Sequence, residues 1–267
     1  MNISKKIITI VVLVMIGLVG TLFVFAHIIV LKNFTTLEQK DIIVDLDQAV
    51  DSIKVEVQSL DVMTADWGYW DDTYQFLTNQ NQLYVINNLN DNTFKNLKLN
   101  HALFIKNSNE IIYSKSFDYN EIQPLPENQD FMQEVITLLS HTQWSDLNRS
   151  ISGILSLPDG PLLVSIRPVL TSLNEGPSPG FIVFGRWLNL QEVQRLADIN
   201  HLKLSLYLLN AQNLPQDIEQ IKSQILINSH YLSQPNEKNI IGYGLMNDIY
   251  DKPALIVRVE KPREIYT

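Results

Sequence analysis

Apolar residues are used in two different ways along the first sixty positions. From Ile7 to Val30 there are 24 residues with no Asp, Glu, Lys or Arg. As a helix this run spans roughly 36 Å, enough to cross a ~30 Å hydrocarbon core with some tilt. A cleaved secretory leader has a shorter apolar region, about 7 to 15 residues, ending in small residues. Here Ala26 is followed by His27, Ile28 and Ile29, so the pattern predicts a retained membrane helix. Further on, Ile42, Ile43, Leu46, Ala49, Val50, Ile53, Val57 and Leu60 recur at spacings of three and four, which is one stripe of an amphipathic helix. No Pro or Gly lies between Val30 and Ala65. The membrane helix is therefore expected to run on into a stalk, a rod of 50 to 60 residues. The stripe is close to a seven-residue repeat; its partner is either the chain's own sheet or the same helix of a second subunit.

Beyond the rod the period shortens to that of strands. Ala102–Lys106 and Glu110–Lys115 flank the turn cluster Asn107-Ser108-Asn109 and read as a hairpin. Ile151–Leu157 and Leu162–Val169 flank Pro158-Asp159-Gly160, a second turn signal. Further strands are expected at Phe181–Trp187, Leu202–Leu209, Ile240–Met246 and Ala254–Val259, and helices at Phe131–Leu139, Leu190–Ala197 and Asp217–Ile227. Mostly antiparallel strands with helices gathered to one side predict an α+β sandwich. The order suits a PAS-like sheet preceded by a long helix, without selecting that fold.

Charge sets the orientation and narrows the partners. Lys5 and Lys6 precede the apolar run and Lys32 follows it, so the positive-inside rule puts the N-terminus in the cytoplasm. Setting those three aside leaves 17 basic against 29 acidic residues, a net of about −12. Such a surface repels nucleic acid and anionic lipid. There is no Cys, which excludes a disulfide scaffold, thiolate zinc and a Cys nucleophile. The five His, at 27, 101, 141, 201 and 230, have no metal-ligand spacing. Metalloprotease, nucleophile-elbow and phosphate-loop patterns are missing, so neither a catalytic set nor a cofactor is expected. Asn148-Arg149-Ser150 fits a glycosylation acceptor.

Candidate chemistry concentrates in Asp66-Trp67-Gly68-Tyr69-Trp70-Asp71-Asp72-Thr73-Tyr74-Gln75-Phe76, which holds two of the four Trp. As a helix, Met63, Trp67, Trp70, Asp71 and Tyr74 would share one face and Ala65, Tyr69, Asp72 and Phe76 another. Rings on two faces imply enclosure on more than one side, with a carboxylate among the rings of each. Gly68 permits close approach of a backbone or a ligand. Three readings stand open: rings that fill the core while the Asp residues brace backbone amides, a ligand pocket with a carboxylate facing a cationic group, or a catalytic carboxylate pair. The last is disfavoured because adjacent helical residues point about 100° apart. If the two strands joined by the loop Asn174–Gly180 form a hairpin, Arg167 lies opposite Ile182 and Arg186 opposite Leu163. Both arginines then share one sheet face, roughly 13 Å apart. Each either pairs with an Asp of the aromatic segment or contacts a ligand.

The stretch from Asp66 to Tyr74 resembles the signature of the fourth class of CHASE domains, extracellular sensors of membrane histidine kinases and diguanylate cyclases. Ser165-Ile166-Arg167-Pro168-Val169 is similar to that family's Arg-Pro strand, and Gly180 to Arg186 to its strand ending in Gly-Arg. Pro262-Arg263-Glu264-Ile265-Tyr266 resembles the segment that leads into a second membrane helix. The resemblance covers roughly residues 35 to 266 and implies a Cache-like fold, a small-molecule ligand and membrane signalling. It also implies an output domain and second membrane helix beyond this chain.

The resulting expectation is a cytoplasmic N-terminus at 1–6, a transmembrane helix at 7–31, a stalk helix at 32–62 that dimerises, and an extracytoplasmic sensor at 63–267. It is the input region of a bacterial or archaeal receptor in the plasma (inner) membrane, with no enzyme in the region present. Candidate ligand contacts are Trp67, Trp70, Asp71, Asp72, Tyr74, Arg167 and Arg186. The rivals are an anchored enzyme using Asp71 or Asp72 and an anchored adhesion or assembly module.

Overall fold

The computed structural model describes residues 3–144, 149–228, 230–233 and 238–263. Asn148 and Glu264 to Tyr266, singled out above, lie outside the described residues. The first element is a single helix, α1 (Ile3–Gly68), of 66 residues, about 100 Å long. Its polar side chains carry their own partners: the hydroxyls of Thr21, Thr35, Thr36, Ser52 and Thr64 donate to carbonyls one turn back. The N-terminal part is long and apolar enough to cross a membrane and is not buried by the rest of the chain. From Ile42 on, the helix becomes one-sided. Ile42, Leu46, Ala49, Ile53 and Leu60 are fully buried, while Val44, Val55 and Val62 stay exposed.

The other elements, in chain order, are α2 (Asp71–Asn79), α3 (Gln82–Asn88), α4 (Asp91–Leu97), β1 (His101–Lys106), β2 (Ile111–Asp118), β3 (Gln123–Leu125) and α5 (Gln129–His141). Then come β4 (Ile151–Leu157), β5 (Gly160–Pro168), β6 (Gly180–Trp187), α6 (Leu190–Asn200) and β7 (Lys203–Leu208). The last are α7 (Gln216–Asn228), β8 (His230–Leu232), β9 (Asn239–Asn247) and β10 (Pro253–Pro262). The strands form two antiparallel sheets, ordered β3-β2-β1-β6-β5-β4 and β7-β10-β9-β8. The expected strands and helices are present, but in two sheets rather than one, and helices cover both faces. The six-stranded sheet has α1 on one face; on the other, Phe131, Val135, Leu138 and Leu139 of α5 join a core with Leu103, Leu162, Val164 and Val183. Burial on both faces explains the apolar runs Leu162 to Val164 of β5 and Phe181 to Phe184 of β6. On the four-stranded sheet, Ile218, Ile221 and Ile225 of α7 pack against Tyr243 and Ile256.

The stripe on α1 is therefore used on the chain's own sheets: α1 contacts β4, β5 and β6 of the first and β9 and β10 of the second. Glycines in β9 permit this closeness. A Cβ at Gly244 would stand 3.3 Å from Leu46, and one at Gly242 would stand 3.2 Å from Ile42. The sheets also meet directly where the β9–β10 turn docks on the first sheet. There Ile249 N–H donates to the Ile154 carbonyl at 2.9 Å and the Tyr250 hydroxyl to Glu134 at 2.6 Å. The chain returns to its starting helix at the end of β10, where Lys261 pairs with Asp45 at 3.1 Å and Arg263 with Glu38 at 2.9 Å.

Candidate functional site

The aromatic–acidic segment is not one helix. α1 stops at Gly68, and Trp70 is extended (φ −128°, ψ 129°) as the residue before α2. The break follows from two contacts. The Gly68 carbonyl, orphaned at the helix end, accepts from Leu170 N–H at 2.9 Å. A Cβ at Gly68 would meet Ile182 at 3.3 Å and the Pro168 carbonyl oxygen at 3.6 Å. The close approach allowed by Gly68 is thus to the end of β5. Asp71 and Asp72 open α2, where negative charge suits the helix dipole.

The break sends rings inward and carboxylates outward. Trp67 packs edge-on against Trp70 (6.0 Å) and Phe184 (5.8 Å). Trp70 reaches Tyr84 (6.0 Å), which stacks on Phe76 (4.6 Å) and meets Phe104 (6.0 Å). Tyr84 and Thr73, both buried, share a 2.7 Å hydroxyl contact. Burial pushes the Tyr84 pKa well above the ordinary phenol range, keeping it a neutral partner. Asp66, Asp71 and Asp72 are exposed, against the expectation of carboxylates enclosed by rings. With the helix broken here, each can stay in water and avoid desolvation. Asp71 exchanges two hydrogen bonds with Ser172: its N–H donates to the serine hydroxyl at 3.1 Å and its carboxylate accepts from the serine N–H at 2.9 Å. Tyr74 donates to the Pro177 carbonyl at 3.0 Å. These bonds tie α2 to the β5–β6 loop. Asp72 has no hydrogen-bond or ion-pair partner among the described residues.

The arginines take the expected register, Arg167 opposite Ile182 and Arg186 opposite Leu163, and both face α1. Their ionic partners differ from the expectation: they pair with carboxylates inside α1, Asp61 and Glu56, not with an Asp of the aromatic segment. Arg167 donates to both oxygens of Asp61, at 3.1 and 2.6 Å, and to the Tyr69 hydroxyl at 3.1 Å. Ser165 adds a 2.8 Å bond to the same carboxylate. Burial works against the guanidinium charge, but Asp61 and Tyr69 outweigh it and hold the Arg167 pKa above its ordinary value. Arg186 donates to Glu56 at 2.9 Å and to the carbonyls of Lys98 and Leu97 at 2.9 and 3.0 Å, closing the end of α4. Glu56 also accepts from Arg195 at 2.6 Å, and Arg195 pairs with Glu192 at 2.7 Å. Burial raises the Glu192 pKa, but hydrogen bonds from Arg195 and Tyr119 bring it below the usual carboxylate value. Sequence reasoning missed Glu56 and Asp61. The available signal was their place beside the apolar stripe, on the part of α1 that an arginine-bearing sheet face must cover.

Two cavities lie along α1 rather than beside Trp70. One of about 640 Å³ opens between α1 and both sheets, with Asp47, Ser152, His230 and Met246 in its lining. Another of about 520 Å³ runs between α1 and α6, past Val44, Val55 and Ile199.

Residues 52–207 match the CHASE4 domain. The chain belongs to the CHASE4 family. That span begins within α1 and ends in β7, so it takes in the broken aromatic segment, the six-stranded sheet and both arginines. The CHASE4 chain is 25% identical over 235 residues to the methanogenesis regulatory histidine kinase FilI of Methanothrix harundinacea; the alignment covers 87% of this chain and 26% of the kinase. It thus spans about a quarter of that relative's length. Among solved structures, it resembles the extracellular domain of the assigned histidine kinase vpHK1S-Z8 (14% identity, 87% of this chain and 94% of that one, TM-score 0.59). It also resembles a domain of a sensory box/GGDEF family protein from Vibrio parahaemolyticus (11%, 87% and 98%, TM-score 0.58) and the periplasmic domain of Vibrio cholerae LuxQ (11%, 83% and 99%, TM-score 0.51). At these identities the shared property is the fold. This CHASE4 region is a sensor domain, with a helix that could span a membrane.

Proposed function

We propose that the chain is the extracytoplasmic input region of a bacterial or archaeal membrane receptor. It passes a conformational signal through α1 to a cytoplasmic histidine kinase, or to a diguanylate cyclase or phosphodiesterase. The observation that carries this reading is α1 itself: one uninterrupted helix joins a membrane-length apolar segment to a surface packed on both sheets. The return of β10 to the same helix, through the Lys261–Asp45 and Arg263–Glu38 pairs, supports it. In this reading residues 1–6 are cytoplasmic, 7–31 cross the plasma membrane and the rest lies outside. A homodimer is proposed along the exposed side of α1, where Leu37, Val44, Val55 and Val62 follow at spacings of 7, 11 and 7, two and three helical turns. For a small-molecule ligand at the broken segment, Trp70, Asp72 and Tyr74 are the proposed contacts. Trp67, Asp71, Arg167 and Arg186 would hold the surrounding frame.

A Gly-Gly-Ser insertion after Lys40 tests the route. It makes the rod flexible on the membrane side of Ile42, leaves the packing of Ile42 to Leu60 on the sheets in place, and separates Glu38 from Arg263. Kinase or cyclase output is measured in cells carrying the receptor that contains this chain, beside the melting temperature of the soluble region. The expected outcome is lost signalling with a melting temperature lowered no more than by Glu38→Gln, which removes the same Arg263 pair without making the rod flexible. Normal signalling by the insertion variant would rule out transmission through α1.

A further inference from the structure

On the face of the six-stranded sheet turned away from α1, one polar group is left without a partner. His101, at the start of β1, is only 3% exposed. Its ring lies between Phe131, at 4.8 Å, and the edge of Trp187, at 5.4 Å. Nδ1 is 2.9 Å from the buried Ser116 hydroxyl, and Nε2 has no hydrogen-bond partner. A buried polar atom left unpaired is costly, so such an atom calls for an explanation. Burial lowers the His101 pKa to about 4, which keeps the ring neutral near pH 7. In the tautomer whose Nδ1–H donates to Ser116, Nε2 is a hydrogen-bond acceptor.

His101 also lines a cavity of about 570 Å³ whose charge is one-sided. Glu127, Asp130 and Asp159 contribute carboxylates, Trp187 and Leu125 contribute apolar wall, and no Lys or Arg lines it. Asp159 accepts from Asn128 at 2.9 Å. Glu127 and Asp130 have no hydrogen-bond or ion-pair partner among the described residues. Three acidic groups that line the same cavity as an unpartnered histidine nitrogen and an aromatic ring suit a cation that carries N–H donors. The described residues contain no group of three side chains placed to hold a metal ion.

We propose that this cavity binds a small organic ammonium ion, which donates hydrogen bonds to Nε2 of His101 and to the carboxylates of Glu127 and Asp130, with Trp187 as its aromatic wall. Nε2 is closed to water, so the half-buried Trp187 ring gives way as the N–H group enters. The site is distinct from the broken aromatic segment, which lies on the α1 side of the same sheet. It nevertheless has a path to α1. Trp187 leads through Asn189, the N-cap of α6, to Arg195, which pairs with Glu56 of α1.

Binding is measured without any signalling output, so its result is separate from the receptor reading. The full chain in phospholipid nanodiscs is titrated calorimetrically with butylammonium, tetramethylammonium and butyrate. Saturable binding of butylammonium is expected, weaker binding of tetramethylammonium, which has no N–H to donate, and none of butyrate. Glu127→Gln combined with Asp130→Asn changes only surface side chains and should weaken butylammonium by about tenfold or more, the equivalent of one charge-assisted hydrogen bond. In ¹⁵N-histidine-labelled protein the Nε2 resonance of His101 should move on saturation. An unaltered affinity in the double variant, equal binding of the two cations, a static Nε2 resonance or absence of saturable butylammonium binding would each overturn the assignment.

Discussion

Truncating Asp61 to Ala is the sharpest probe of what holds α1 in place. Its carboxylate accepts from Arg167 Nε and Nη2, from Ser165 and, at 3.3 Å, from Ser150. The side chains of Asp61 and Arg167 are 16% and 14% exposed, and Ser165 is fully buried. In Asp61→Ala the guanidinium keeps only the Tyr69 hydroxyl, and the Ser165 hydroxyl loses the carboxylate it bonds. Breaking a buried pair from one side costs about 3–5 kcal/mol. One edge of this pair reaches water, so the lower end applies, about 3 kcal/mol. In a folded region of this size that lowers Tm by roughly 6–12 °C. Arg167→Met in the same background removes the stranded charge and should restore at least about 1 kcal/mol. Urea denaturation of the soluble region, followed by tryptophan fluorescence, reads Asp61→Ala, Arg167→Met alone and the double variant against the wild type. Losses in the double variant equal to the sum of the single losses would refute the account, because two independent side chains give that result and a coupled buried pair does not.

Three further outcomes follow from the same structure. The His101 pKa, about 4 when folded against 6.5 unfolded, means that the unfolded chain binds the proton first. Stability should fall as pH drops from about 6.5 to 4, by roughly 3 kcal/mol from this group. His101→Phe should flatten that part of the pH–stability curve, and an undiminished slope in the variant would show that other groups cause it. Trp70→Ala should cost less than the ~3–5 kcal/mol of a fully buried Trp, since the ring is only partly buried. Asp72→Asn should stay within about 0.5 kcal/mol of wild type; a melting shift as large as that of Trp70→Ala would mark the Asp72 carboxylate as structural.

The long periodic elements were legible in the sequence because their pattern extends over several turns or strand repeats. The α1 stripe and the β1–β2 hairpin follow from spacing, and the register of β5 with β6 matches the one obtained by supposing that those two strands form a hairpin. Helices α2, α3 and α4 did not, since segments of seven to nine residues are too short to show a period. Their signals were local: Asn81 and Asn90 each accept a backbone N–H as N-caps. The division into two sheets was hidden because strand order depends on pairings far apart in the chain, such as β1 with β6. The helix break at Gly68 was hidden for a similar reason, as the group that takes its carbonyl, Leu170 N–H, is about a hundred positions away. That break also decided the fate of the motif carboxylates. A continuous helix would have set Asp71 and Asp72 among the rings, and the broken one leaves them in solvent.

A rod gripped by strands from two sheets cannot yield by small degrees. Advancing α1 by one residue would carry each of its side chains 1.5 Å along the axis and turn it by 100°. Asp45, Glu56 and Asp61, which meet Lys261 on β10, Arg186 on β6 and Arg167 on β5, would leave their seats in the same instant. Ion pairs on one stiff shaft act as detents: between two seated positions none of them is made. On the signalling route proposed above, movement along this helix would be a click and not a glide, and the receptor would report a threshold crossed in place of an amount.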